Sequence, residues 1–191
     1  MLGKHRAAGA AAVLTVAALG WSQAASAATT ANPTVTGTVT AGALSVATSA
    51  APTFSANLAG GDSTPTYTLP LTAVDTTGTG AGWNLTVTST QFTTGGGTPH
   101  TLPATASTIT GVTSLCASGT CTNPSNAVPY PPGVFVPAAV TAPTAVKFFN
   151  AAANTGLGSF TLTPTVGVFV PATSFAGSYS STLTVSIVSG P

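Results

Sequence analysis

Apolar residues alternate with threonine or serine through most of the chain, the period-two signature of strands with one buried face. Residues 34–40 (TVTGTVT) and 42–47 (GALSVA) read as two short strands. Phe54, Ala56 and Leu58 mark a third, and residues 67–74 a fourth. A glycine-rich turn over 75–82 follows, with Asp75 placed to cap it by accepting backbone N–H groups. It feeds residues 83–92 (WNLTVTSTQF), the cleanest alternation in the sequence. Trp83, Leu85 and Val87 fall on one face of that strand; Asn84, Thr86, Thr88 and Thr90 fall on the other. Residues 95–100 break the pattern and 106–115 resume it weakly. Residues 116–144 are proline-rich, with YPPG at 130–133 as the strongest loop signal. Strands return over 145–150, 159–170 and 179–188, and residues 151–153 (AAA) have room for one helical turn. Short strands punctuated this regularly predict an all-β fold, an antiparallel β-sandwich or barrel-like single domain. One hexapeptide recurs, GVFVPA at 133–138 and 167–172. Each copy reads as an apolar strand end stopped by proline, since a solenoid needs at least three repeats.

The first 27 residues stand apart from this pattern. Lys4 and Arg6 form a basic start, residues 7–20 are apolar, and 25–27 (ASA) give the small-x-small pattern of a cleavage site. The apolar stretch is shorter than the roughly 20 residues a spanning helix needs. Residues 1–27 are therefore expected to be a cleaved signal peptide and 28–191 the exported domain, with no integral membrane segment after cleavage. The expected location is secreted or extracellular.

Charge narrows the function sharply. Beyond the leader the only formal charges are Asp62, Asp75 and Lys147, and glutamate is absent. Nucleic-acid binding neutralises phosphates with lysine and arginine, so one cation excludes a nucleic-acid partner. The same inventory is poor in catalytic groups: Asp62, Asp75, His100 and Lys147 lie in no recognisable acid–base or nucleophile motif. No enzymatic activity is expected, and no cofactor. The segment 78–82 (GTGAG) superficially suggests a phosphate cradle, but it opens a strand and carries no lysine. Asn84 and Thr86 match a glycosylation acceptor inside a strand, where the short motif carries little weight. Cys116 and Cys121 bracket a turn-forming tetrapeptide and are expected to form a disulfide in an oxidising exterior. With His100 alone and no other cysteine, no metal site is expected.

Trp83 is the only tryptophan outside the leader. It can be read as a stacking surface for a sugar ring or as a core filler, and its alternation with Leu85 and Val87 favours the core. The surrounding segment, residues 74–92 (VDTTGTGAGWNLTVTSTQF), resembles the proximal motif of the WxL-domain surface proteins of Gram-positive bacteria. Residues 39–46 (VTAGALSV) are similar to the strand that begins such domains, and residues 170–184 with Gly190 and Pro191 resemble the distal block. The likeness spans about residues 36–191. It implies an extracellular β-rich domain held non-covalently at the cell wall, with peptidoglycan as the usual partner. It carries Trp83 and Leu85 over as ligand-binding candidates, with Asn84 between them. The family's second Trp-x-Leu is replaced here by Val185, Ser186 and Ile187, which keeps an apolar strand face and loses the aromatic ring.

Two functions follow. The first is a non-catalytic secreted or cell-surface protein associating with cell-wall polysaccharide or other surface proteins. The second is a structural surface subunit that self-assembles through β-strand edges, because its uncharged threonine-rich strands lack lysine and glutamate gatekeepers.

Overall fold

The computed structural model describes residues 32–191, so the expected leader, residues 1–27, and its expected cleavage site lie outside the described residues. Residues 39–191 form one unit of ten strands: β1 Leu44–Ala47, β2 Thr66–Thr68, β3 Leu71–Asp75, β4 Trp83–Thr90, β5 Ser107–Thr122, β6 Val134–Phe135, β7 Ala138–Ala139, β8 Val146–Ala151, β9 Leu157–Val168 and β10 Leu183–Ser189. No helix occurs among the described residues. One sheet runs β1-β3-β9-β5-β6, with β2 also paired to β9; the other runs β10-β4-β7, with β8 also paired to β4. Every pairing is antiparallel except the two-residue contact of β4 with β7.

The alternation dictates the layering. Trp83, Leu85 and Val87 of β4 are buried against Leu71, Ala73, Phe160, Leu162 and Val166 of the larger sheet and Phe148 and Phe149 of β8. A second, smaller apolar cluster of Leu102, Ala106, Val168 and Val170 sits where β9 ends, with Phe54, Tyr67, Phe92 and Tyr179 packed on it. Strand-stopping prolines act as the sequence suggests. Pro70 interrupts the expected strand 67–74, which becomes β2 and β3, both still paired to β9. The two GVFVPA copies land on opposite edges of the same short stretch of β5. Thr108 is opposite both Phe135 and Gly167, and Ile109 is opposite both Val134 and Val166.

Two expected strands are absent. The stretch from Phe54 to Leu58 has no ladder partner; it crosses the end of the sandwich as an irregular segment, with Phe54 turned onto Tyr67 and Phe92. Residues 34–40 have the strand pattern but no strand pairing, and Val35 and Val39 are 91% and 98% exposed. Residues 151–153 form no helix: Ala151 ends β8, and the chain turns through Asn154 at φ 62°. The disulfide Cys116–Cys121 is present, with Cα atoms 5.9 Å apart. It closes a bulge inside the long strand β5, where Cys116 is opposite Phe160 and Thr122 opposite Leu157.

Candidate functional site

Three independent contacts pin the start of β4. The Trp83 indole is 1% exposed, donates from Nε1 to the Gly156 carbonyl at 2.9 Å, and lies tilted against Phe149 with centroids 5.9 Å apart. Gly156 is what makes room for it: a Cβ there would fall 2.7 Å from Nε1 and 2.4 Å from the Ala151 Cβ. The Asn84 side-chain amide donates to the Gly190 carbonyl at 2.8 Å, and the Gly190 N–H donates to Gly82 at 2.9 Å. Leu85 is fully buried. Asp75 caps the preceding turn through Oδ1, which accepts from the Thr77 N–H at 3.1 Å and its hydroxyl at 2.7 Å.

The ligand-binding expectation for Trp83, Asn84 and Leu85 thus meets a buried site. No face of the indole or of Leu85 is free for a sugar, and Asn84 spends its amide on the chain's own carboxy-terminal segment. The core-filling alternative describes the geometry. The three residues fasten β4 to β8, to the loop before β9 and to the segment after β10. The degenerate distal positions lie alongside: Ile187 is opposite Leu85, and Val185 is opposite Val87.

Two surfaces remain open, and neither was legible from the motifs. The first is a groove of about 1150 Å³ at the end of the sandwich, lined among others by Tyr67, Leu71, Phe92, Tyr179, Leu183 and Val185. Among the described residues no charged side chain lines it. Burial raises the pKa of the Tyr67 hydroxyl above the ordinary phenol value. The aromatic residues that build this end are scattered in sequence, and only their spacing in a chain otherwise made of threonine could have flagged them.

The second surface is the outer face of the larger sheet. Directly opposed residues share a face, so the register arranges side chains in rows. Thr161 is opposite both Thr72 and Leu115, Thr163 is opposite Thr113, and Thr165 is opposite Thr68. The next row runs Thr66, Gly167, Thr108 and Phe135 across four strands. Leu115 and Phe135 are 69% and 65% exposed. The result is a pleated lattice of hydroxyl and methyl groups with two apolar side chains standing on it and no ionisable group in these rows.

The ionisable residues do not converge. Asp62 accepts the Ala172 N–H at 2.9 Å, Asp75 serves its turn, and the His100 ring stacks on Phe175 at 3.8 Å between centroids. Lys147 is exposed on β8. Among the described residues no group of three or more His, Cys, Asp or Glu side chains is placed to hold a metal ion, and no helix is long and apolar enough to cross a membrane. No curated protein and no solved structure matches the chain. A family model does: the one described as WxL domain surface cell wall-binding matches residues 28–191, nearly the whole sequence, and the chain belongs to that family.

Proposed function

We propose that this protein is a non-catalytic, exported surface module that holds non-covalently to the cell wall through the outer face of its larger sheet, with peptidoglycan glycan as the partner. The observation that carries the reading is the row structure of that face. Thr72, Thr161 and Leu115 lie side by side, as do Thr66, Thr108 and Phe135, with no charge among them. A glycan strand presents hydroxyl groups along its edges and C–H groups on its ring faces. Threonine hydroxyls can donate to and accept from the former, while exposed rings and methyl groups cover the latter. Family membership supplies the wall as the setting. The buried Trp-x-Leu segment supports the binding face indirectly, by fastening the smaller sheet on which the larger one packs.

Retention on purified peptidoglycan tests this. The chain from Ala28 onward should sediment with it, and Phe135→Ala combined with Leu115→Ala should abolish retention without changing the far-ultraviolet spectrum. Val140→Ala, at a side chain 90% exposed and outside these rows, should leave it intact. Because the face carries no charge, retention should survive molar salt, which screens Coulombic contacts to a few ångströms. Complete elution by salt, or release of soluble fragments from the wall by the protein, would refute the proposal.

A further inference from the structure

The groove at the end of the sandwich has a lining that selects its ligand. Its floor joins the two core clusters. Leu69 and Leu71 come from the larger one, Leu102 and Val170 from the smaller, and all four are buried. The concavity thus runs from one cluster to the other, and at about 1150 Å³ it exceeds the roughly 300–1,000 Å³ typical of small-molecule sites. With no charged side chain along it among the described residues, a ligand charge would lose its water and gain no partner. The ligand body is therefore neutral.

The aromatic rings narrow the choice further, because they are turned on one another. Phe54 is stacked on Tyr67 with centroids 6.3 Å apart and meets Phe92 edge-on at 5.4 Å. Ring faces spent in this way give no flat platform for a sugar. The hydroxyls around a sugar ring, or the amides along a peptide, would go largely unpaired over leucine and valine. A hydrocarbon chain needs no partner there.

Two polar groups are nevertheless left unspent. Tyr67 on β2 is opposite Val166 of β9, and Ser107 on β5 is opposite Val168. Both valines are buried and directly opposed residues share a face, so both hydroxyl-bearing side chains rise from the inward face of the larger sheet, one on either side of β9. Both residues border the groove, and Ser107 is only 5% exposed, a burial at which a hydroxyl ordinarily has a partner. Neither hydroxyl has one among the described residues, whereas Tyr179 at the rim donates to the Phe175 carbonyl at 2.9 Å.

The geometry points to a binding site for a neutral amphiphile: a linear hydrocarbon chain along the leucine and valine floor, ending in one uncharged oxygen group, an alcohol or an ester, held by the Tyr67 and Ser107 hydroxyls. A hydroxyl donates and accepts, so the pair serves either end group. The site lies between the sheets and does not rest on the wall-binding reading, which uses the outer face of the larger one.

Fluorescence of N-phenyl-1-naphthylamine, a neutral apolar probe, tests this on the chain from Ala28. Its emission should rise to saturation at one probe per chain, and straight-chain alkanols should displace it. Affinity should climb about fourfold per methylene from 1-hexanol to 1-decanol, the increment expected for burying each one. Octanoate at neutral pH should bind at least about tenfold more weakly than 1-octanol, because its charge finds no partner. Tyr67→Phe with Ser107→Ala should weaken every alkanol by a common factor of about ten and leave the methylene increment and the Tm unchanged. The chain-length and charge comparisons use the wild-type chain, so they read the site whether or not the variant folds. Failure to saturate, displacement by chitobiose, affinity that ignores chain length, octanoate binding as tightly as 1-octanol, or unchanged alkanol affinity in the folded double variant would each overturn the inference.

Discussion

Replacing Gly156 by alanine probes whether the tryptophan of β4 is held by packing. The added Cβ would sit 2.4 Å from the Ala151 Cβ, 2.7 Å from Trp83 Nε1 and 3.0 Å from Trp83 Cε2. Neither neighbour can yield easily: Ala151 is fully buried within β8, and the indole is wedged against Phe149 and tied to the Gly156 carbonyl. Overpacking of this kind costs about 1–3 kcal/mol. Gly156 also has φ +71°, a left-handed conformation that costs an alanine about 1–2 kcal/mol. Together these give a loss of about 3 kcal/mol, or a fall in Tm of roughly 6–12 °C for a domain of this size. Gly95→Ala separates the two contributions, because Gly95 has φ +65° and nothing within 4 Å of its Cβ position. It should lose only the backbone share. Urea unfolding of the chain from Ala28, followed by Trp83 fluorescence, reads both variants, since Trp83 is the sole tryptophan in residues 28–191. Equal midpoints for the two variants, or no shift for Gly156→Ala, would refute the claim that the loop before β9 is shaped around the indole.

Other outcomes follow from the same contacts. Trp83→Ala removes a fully buried side chain and orphans the Gly156 carbonyl. It should cost about 4–6 kcal/mol, a large share of the roughly 5–15 kcal/mol that holds an ordinary domain folded. Circular dichroism should show a collapse of Tm, so lost wall retention in that variant would report unfolding. Cys116→Ser with Cys121→Ser opens only a short loop in β5, and its urea midpoint should fall by the equivalent of about 2 kcal/mol. Tyr130 gives the alkaline behaviour. Burial pushes its hydroxyl pKa up to about 12, and that hydroxyl donates to the Phe148 carbonyl. The folded state therefore keeps a proton that the unfolded state releases near pH 10, and stability falls as pH rises from about 10 to about 12. Tyr130→Phe should be less stable at neutral pH and flatter above pH 10 in thermal melts. A parallel alkaline slope in both proteins would assign the effect elsewhere, with the partly buried Tyr67 as the next candidate.

Much of the architecture is visible in local pattern. Period-two alternation located β1, β3, β4, β8, β9 and β10, because a strand half-buried in a sandwich must repeat its chemistry every second residue. The same alternation marked Trp83, Leu85 and Val87 as an inward face, and the turn chemistry of residues 75–82 identified Asp75 as a cap. Paired cysteines in a charge-poor chain with an expected leader pointed to the disulfide. Two things lay beyond local pattern. Residues 34–40 and the segment from Phe54 to Leu58 alternate as well as any strand, yet neither has a ladder partner. Pairing depends on an edge being free at the right place, and no window of sequence encodes that. The motif residues, too, were legible as a motif without revealing which side of the surface they would occupy. Only the closure of the two sheets sends Trp83 inward onto Gly156 and Phe149. That same closure brings Thr72, Thr161 and Leu115, distant along the chain, into one outward row, and leaves β10 with a bare edge. Alternation is a property of neighbouring residues, whereas faces, edges and grooves come from long-range register, which only the folded chain decides.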